Sequence, residues 1–100
     1  MFFIILAADK PGALPLRLQH RQRHLDYWLE KGAAVKVAGA MLDGDKPASD
    51  PQGSSFLLEA EDESAVRALL TGDPFMTEGV FTGDFVIQPV RPAIGEWRRD

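Results

Sequence analysis

Residues Phe2–Ala8, FFIILAA, decide the fold of this chain. These seven apolar residues run without interruption into the turn-forming segment 9–12, DKPG. A short apolar run that ends in turn residues predicts a buried β-strand. Because side chains alternate between the two faces of a sheet, a strand that is apolar throughout requires an apolar environment on both faces.

The same stretch is too short for a membrane span, which needs about 20 apolar residues. It also lacks the cationic leader of a secretory signal. The sequence contains no cysteine, which argues against a disulfide framework, a thiolate zinc site and a cysteine nucleophile. We therefore expect a cytoplasmic protein with no membrane partner.

Leucines at helical spacing follow the first strand and a proline-containing loop. Leu18, Leu25 and Leu29 fall on one stripe, which predicts a helix over residues 16–31 with these leucines at the centre of its buried face. Gly32 supplies the stop signal.

The rest of the chain divides into shorter elements. The polar segment 43–54, with two prolines and two glycines, predicts a loop. Asp62 predicts the N-cap of a second helix, which Gly72 and Pro74 end. Alternating apolar residues predict three more strands, over residues 34–41, 55–60 and 80–90.

The predicted order is β-α-β-β-α-β, an α+β arrangement of the ferredoxin-like type with both helices on one face of a four-stranded antiparallel sheet. A chain of 100 residues has the length of one domain, which we assign to residues 1–100. The other face of the sheet would leave half of the side chains of Phe2–Ala8 uncovered. The sheet of a second copy is the simplest cover, so we predict a homodimer.

Charge and motif content narrow the function classes. The chain carries 15 acidic and 11 basic residues, whereas nucleic-acid binding usually requires a basic surface. Basic residues cluster only in the first helix and at Arg98-Arg99, so we predict no nucleic-acid partner. No glycine-rich phosphate-binding pattern is present, and we predict no cofactor. Ser54 and Ser55 lack a nucleophile-elbow context, which leaves serine catalysis without support.

One histidine in the stretch 21–28, RQRHLDYW, raises the question of chemistry. On a helical wheel His24 lies about 120° from the leucine stripe, near Arg17 and Trp28. A purely structural histidine is the commoner case at such a border between core and solvent. His20 precedes it by one turn, but cationic side chains lie between the two and no third ligand is evident. We predict no metal site and a surface position for His20.

A histidine that transfers protons needs a carboxylate to fix its tautomer. Asp73, in the segment GDPF, is the best candidate, because a residue before proline is held extended. Asp26 is only two positions from His24 and points elsewhere on a helix. An Asp-Pro pair that merely ends a helix is the commoner case, so the residues alone leave a structural and a catalytic interpretation open.

In order and spacing, several segments resemble the YciI-like (YCII-related) family of the dimeric α+β barrel superfamily, from Met1 to about Pro92. Each motif is modest alone, and their shared order makes the resemblance specific. The matching positions are Ala7-Ala8-Asp9, the pattern R-L-x-x-R-x-x-H-L at Arg17, Leu18, Arg21, His24 and Leu25, the pair Ala38-Gly39, and D-P-F-x-x-x-G-V-F at Asp73, Pro74, Phe75, Gly79, Val80 and Phe81.

The resemblance implies that His24 and Asp73 form a catalytic dyad. Superfamily relatives include isomerases and lyases that act on small cyclic or aromatic compounds. Asp73 would accept the Nδ1 proton of His24, which leaves Nε2 as a general base for a proton beside a carbonyl or on a phenol. Arg17 or Arg21 would hold an anionic oxygen of the substrate. The alternative is a non-catalytic dimeric module that binds a small ligand.

The chain departs from the family pattern in three places. Ala40 stands where members often have proline, and the loop 42–54 and the tail 92–100 have their own composition. Because these segments could shape the pocket, the resemblance does not carry over the identity of a substrate.

Overall fold

The computed structural model describes residues 1–96. The basic pair Arg98-Arg99 noted in the sequence lies outside the described residues. The elements follow the predicted order, with two additional short helices: a 3₁₀-helix over Gly32–Ala34 and an α-helix before the last strand. They are β1 Phe2–Asp9, α1 Leu14–Leu29, β2 Val35–Leu42, β3 Pro51–Glu59, α2 Glu63–Gly72, α3 Pro74–Thr77 and β4 Phe81–Val90.

The sheet has the strand order β2-β3-β1-β4, and all neighbouring strands are antiparallel. Ile5 of the central strand β1 lies opposite Phe56 of β3 on one side and Ile87 of β4 on the other. This topology confirms the predicted ferredoxin-like α+β fold.

Side chains of the opening run of β1 point alternately to the two faces of the sheet, and because all of them are apolar, both faces are apolar. Phe3, Ile5 and Ala7 are buried and belong to a core shared with side chains of α1 and α2. Ile4 and Leu6 point to the opposite face and are 44% and 41% exposed. One face of the sheet is therefore covered by helices, and the other is open in the monomer.

The buried face of α1 differs from the prediction. Leu18 and Leu29 are 59% and 76% exposed, whereas Arg17, His24 and Trp28 are buried. The predicted leucine-centred face was wrong because α1 buries a polar network whose partners lie on distant strands and loops. Hydrophobic periodicity registers apolar side chains and cannot detect such partners.

The start of β3 also differs from the prediction, which placed residues 43–54 in a loop. Residues 51–54 pair with β2 and β1 instead. Gly53 permits this pairing, because a Cβ atom there would lie 2.7 Å from the carbonyl oxygen of Ala7 and against the methyl group of Met41. The longer strand carries Ser54 to the centre of the sheet.

A register shift in β2 places two valines of the predicted strand 34–41 out of the simple alternation. Val35 pairs with Leu58, but Val37 pairs with Leu57, so the strand has one extra residue at Lys36. Val37 consequently points to the open face, where it is 63% exposed.

The helix ends follow local rules. Pro15 lies in the first turn of α1, which therefore begins at Leu14 rather than after the proline. Asp62 caps α2 as predicted, and its carboxylate accepts a hydrogen bond of 2.9 Å from the backbone N–H of Ala65. Within residues 1–96, every helix falls short of the length and hydrophobicity that a bilayer span requires.

Candidate active site

Asp73 is a fully buried carboxylate in the link between α2 and α3. Its backbone is extended (φ −64°, ψ 131°), as predicted for a residue before proline. Oδ1 accepts a hydrogen bond of 2.9 Å from the backbone N–H of Phe75, and Oδ2 accepts one of 2.7 Å from the indole Nε1 of Trp28. The carboxylate thus caps α3 and is fixed by α1.

The third partner of Asp73 is His24. Nδ1 of His24 lies 2.8 Å from Oδ1 and 2.9 Å from Oδ2. Because a carboxylate that accepts from Trp28 and Phe75 can only accept again, Nδ1 must carry the proton. When the ring is neutral, Nε2 therefore carries the lone pair, and it has no hydrogen-bond partner among the described residues.

Aromatic rings enclose the imidazole. Phe75 stacks on His24 with ring centroids 3.9 Å apart and planes tilted by only 10°. Phe81 meets the imidazole edge-on at 6.4 Å, and Phe56 lies at the same centroid distance in a tilted orientation. These contacts hold the ring in one orientation and exclude water from most of its surface.

Tyr27 ties α1 to the last turn of α2, four residues before Asp73. Its hydroxyl donates a hydrogen bond of 2.6 Å to the carbonyl oxygen of Leu69. Burial, followed by the nearby negative charge of Asp73, raises the pKa of Tyr27 above its ordinary value of 10.0. A Cβ atom on Gly72 would lie 2.6 Å from this hydroxyl, so the glycine allows the close approach.

Arg17 forms a second polar cluster two helical turns before His24. Its Nε and Nη2 donate to the two carboxylate oxygens of Asp9 at 2.7 and 3.1 Å, and both side chains are almost fully buried. Nη2 also donates to Oγ of Ser54 at 2.8 Å. The guanidinium carbon lies 4.5 Å from the ring centroid of Phe75, which links this cluster to His24.

One cavity of about 210 Å³ joins the two clusters. Larger depressions of about 470 and 480 Å³ lie beside Met1 and Pro89 and beside Asp9 and Met41, but no imidazole side chain lines either of them. The walls of the smaller cavity combine a base, two cations and a hydroxyl with apolar surface. They are formed by Arg17, Arg21, His24, Leu25, Trp28, Ala38, Gly39, Ala40, Ser54 and Phe75.

The structure brings together the residues that the sequence selected. His24 and Asp73 are in direct contact, and Arg17 and Arg21 line the same cavity as His24. Arg17 is buried, whereas Arg21 is exposed. Ala40, which departs from the family pattern, lies in the cavity wall.

Sequence reasoning missed three side chains of the site. Asp9 was noted only as a strand exit, Trp28 only as a neighbour of His24, and Ser54 was assigned to a loop. A polar residue at the end of an apolar strand, and an indole one turn from a histidine, were the available signals. Ser54 gave none, because its role depends on the unpredicted extension of β3.

His20 does not belong to the site. Its side chain is only 13% exposed, so His20 is largely buried and is not the surface residue that was predicted. Nδ1 lies 3.2 Å from Nη1 of Arg23, and Nε2 lies 3.9 Å from Glu78. Within residues 1–96, no three His, Asp or Glu side chains are grouped closely enough to hold a metal ion.

The chain is similar to known proteins along almost its whole length. It is 29% identical to 5-chloro-2-hydroxyhydroquinone dehydrochlorinase (TftG) from Burkholderia phenoliruptrix AC1100, solved in complex with 2,5-dihydroxybenzoquinone. The two structures superpose with a TM-score of 0.82, covering 99% of this chain and 100% of that one. An uncharacterized protein of Haemophilus influenzae is 27% identical in an alignment of 99 positions that covers 91% of this chain and 97% of the relative.

A more distant structure, an antibiotic biosynthesis monooxygenase, shares the fold at 17% identity and a TM-score of 0.51, covering 92% of this chain and 100% of that one. The model of the YCII-related domain matches residues 1–90. These residues contain β1 to β4 and every side chain of the cavity. The chain therefore belongs to the YCII-related domain family.

Proposed function

We propose that this protein is a small-molecule enzyme in which His24 and Asp73 act as an acid/base dyad. The observation that carries the proposal is the contact of Nδ1 of His24 with a fully buried carboxylate, while His24 also lines a cavity. Asp73 does not line that cavity, so Nε2 is the ring nitrogen left for a ligand. This is the arrangement that a general base requires.

The proposed reaction begins when Nε2 of His24 takes a proton from a carbon beside a carbonyl, or from a phenol. The released electron pair forms a double bond or a carbonyl, and a leaving group departs with its own pair in a lyase-type elimination. In an isomerisation, the imidazolium instead returns the proton at another position. Asp73 stabilises the imidazolium through Nδ1, and such a base contributes about 10²–10⁴-fold in rate.

The proposed substrate is a small cyclic or aromatic compound that carries oxygen. Aromatic walls at Trp28 and Phe75 suit a flat ring, and Arg17 and Arg21 are cations that can hold an anionic oxygen. The dehydrochlorinase that this chain resembles acts, by its name, on a chlorinated hydroxyhydroquinone. At 29% identity over the full length, that likeness supports the same general class of substrate.

We also propose that the protein is a homodimer held together by the open face of the sheet. Ile4, Leu6, Val37 and Val86 all leave large exposed apolar surfaces there. Apolar faces of this kind in sheet proteins are usually covered by a second layer about 10 Å away. A second copy supplies such a layer with the same composition.

Two further assignments stand as proposals. The match to the family ends at residue 90, and we assign residues 91–100 to the same domain. The absence of cysteine fits the cytoplasmic location that we propose.

The enzyme proposal is tested with chlorinated and non-chlorinated hydroquinones as candidate substrates. Product formation and ligand binding are measured separately for the natural chain and for His24→Gln, Asp73→Asn and His20→Gln. We expect turnover that His24→Gln abolishes and Asp73→Asn strongly reduces. His20→Gln is the matched control, because it changes a histidine one turn earlier on α1 that does not line the cavity.

Turnover that survives His24→Gln would contradict the proposed role of this residue. Binding without turnover in every variant would instead support the alternative of a non-catalytic dimeric module that binds a small ligand.

A further inference from the structure

We infer that Ser54 and the Nη1 edge of Arg17 form an oxygen-binding corner, which holds a carbonyl or phenolate oxygen of the ligand in the cavity that His24 also lines. This inference rests on the proposed function and narrows its substrate class. It also gives a role to a serine that sequence reasoning had set aside.

Ser54 has a buried hydroxyl whose proton lacks a partner. The residue is 2% exposed and lines the cavity. Oγ accepts a hydrogen bond of 2.8 Å from Arg17, but the hydroxyl proton meets no acceptor among residues 1–96. The adjacent Ser55 differs, because its hydroxyl donates to the carbonyl oxygen of Gly39 at 3.1 Å. A buried donor without an acceptor is unfavourable, and a ligand oxygen would remove that cost.

Arg17 presents further donors in the same corner. Asp9 engages Nε and Nη2, and Ser54 takes the second hydrogen of Nη2. The two N–H groups of Nη1 have no acceptor in the described part of the chain. Asp9 fixes the guanidinium plane, so the donors are oriented before a ligand arrives.

The corner selects the kind of oxygen. All its free groups are donors, so the ligand atom must be an acceptor, such as a carbonyl or phenolate oxygen. Asp9 already balances the charge of Arg17. A neutral or singly charged oxygen therefore suits the corner better than a multiply charged phosphate.

Ser54 is a binding group in this arrangement and not a nucleophile. Its Oγ bonds to Arg17, and no hydrogen bond joins it to His24 among the described residues. A serine nucleophile would need its base within hydrogen-bond reach.

The distance between the corner and the base sets the size of the ligand. The guanidinium carbon of Arg17 lies 4.5 Å from the ring centroid of Phe75, and that centroid lies 3.9 Å from the imidazole centroid of His24. The corner and the base are therefore separated by no more than the span of one substituted six-membered ring. An apolar cavity of about 150 Å³ holds benzene, and the cavity here measures about 210 Å³. The geometry favours a single ring with oxygens at opposite positions.

The test compares hydroquinone, which has two opposed oxygens, with phenol, which has one. Dissociation constants are measured by NMR titration for the natural chain, Ser54→Ala, Ser54→Thr and Ser55→Ala. In the natural chain we expect hydroquinone to bind roughly tenfold more tightly than phenol, the effect of one hydrogen bond. Ser54→Ala should reduce this preference, because it removes one of the donors of the corner and leaves Nη1 of Arg17 in place. Ser54→Thr, which retains a hydroxyl, and the matched control Ser55→Ala should keep it.

Equal affinity of the natural chain for both compounds, or a preference that Ser54→Ala leaves unchanged, would overturn the inference. Absence of saturable binding of both compounds would overturn it as well. If Ser54→Ala does not fold, the test is made on the natural chain. The inference then predicts nuclear Overhauser contacts between bound hydroquinone and the side chains of Ser54 and Arg17. Contacts confined to other residues would refute the corner.

These measurements report binding and not turnover. A failed dyad would appear as catalysis that survives His24→Gln, with the hydroquinone preference unaffected. A failed corner would appear as a lost or Ser54-independent preference, with the catalytic result unaffected.

Discussion

The indole N–H of Trp28 donates a hydrogen bond of 2.7 Å to the same carboxylate of Asp73 that holds His24. Trp28 and His24 are four residues apart on α1, so one face of the helix presents both donors to one acceptor. The site is therefore a three-residue unit in which Trp28 fixes the carboxylate that fixes the imidazole.

Trp28→Phe should destabilise the fold by about 2 kcal/mol, because it leaves a buried carboxylate without one of its donors. Urea unfolding followed by far-ultraviolet circular dichroism measures the loss. The matched control is Tyr27→Phe, which removes the bond to the neutral carbonyl of Leu69 and should cost about 1 kcal/mol. An equal or smaller loss for Trp28→Phe would argue against the importance of the indole.

Tyr27 should titrate above its ordinary pKa of 10.0, because burial and the charge of Asp73 both raise its pKa. It is the only tyrosine of the chain, so absorbance of the phenolate reports it alone. Asp73→Asn should lower the pKa of Tyr27 and leave only the part of the upward shift that burial causes. A pKa of Tyr27 that does not respond to Asp73→Asn would show that the charge has no effect.

The same shift predicts how stability changes with pH. The folded protein holds the phenol proton more tightly than the unfolded chain, so the contribution of Tyr27 is fully present below pH 10, the ordinary pKa of tyrosine. It is lost as the pH rises through the folded pKa. Urea unfolding of the natural chain and Tyr27→Phe at pH 8 and above pH 10 measures this difference.

Gly72→Ala should destabilise the natural chain even though alanine is the better helix former. The added Cβ would lie 2.6 Å from the hydroxyl of Tyr27, and the resulting displacement should cost about 1–3 kcal/mol. In a Tyr27→Phe background the same change should be far less harmful, since the clashing oxygen is gone and alanine is favoured over glycine by about 1 kcal/mol. Additive effects in the four-variant cycle would contradict this contact.

Leu6→Lys should convert the proposed dimer to a monomer, because it places a charge in the middle of the open sheet face. Light scattering after size-exclusion chromatography gives the mass. Leu18→Lys is the matched control, since Leu18 is also exposed but lies on α1. A natural chain that is monomeric at all concentrations, or a dimer that survives Leu6→Lys, would contradict the proposed interface.

The fold could be predicted from the sequence because it depends on local signals. The apolar run Phe2–Ala8, the cap at Asp62 and the turn at Asp73-Pro74 each act within a few residues. What failed was the face of α1 and the start of β3. Both are set by distant partners: Asp9, Ser54 and Asp73 make a polar stripe of α1 the buried one, and pairing with β1 and β2 makes a glycine- and proline-containing segment a strand.

The site was predictable in part for the same reason. Asp73 was the best carboxylate candidate for His24 from the residues alone, although 49 residues separate them. Neither local pattern was decisive, and the family resemblance favoured the catalytic interpretation. Arg17 was expected near His24 at the border between core and solvent, and its burial follows from an ion pair with Asp9 that no helical period reveals. The role of Ser54 could be recognised only after the structure had shown that this residue belongs to β3.

The tautomer of His24 tests the central claim most directly, because it requires no knowledge of the substrate. Nitrogen-15 NMR of the imidazole at a pH where the ring is neutral distinguishes a protonated Nδ1 from a protonated Nε2. The account predicts a proton on Nδ1 and a lone pair on Nε2 in the natural chain, with that preference weakened in Asp73→Asn. A proton on Nε2 in the natural chain, or a tautomer that Asp73→Asn leaves unchanged, would contradict it.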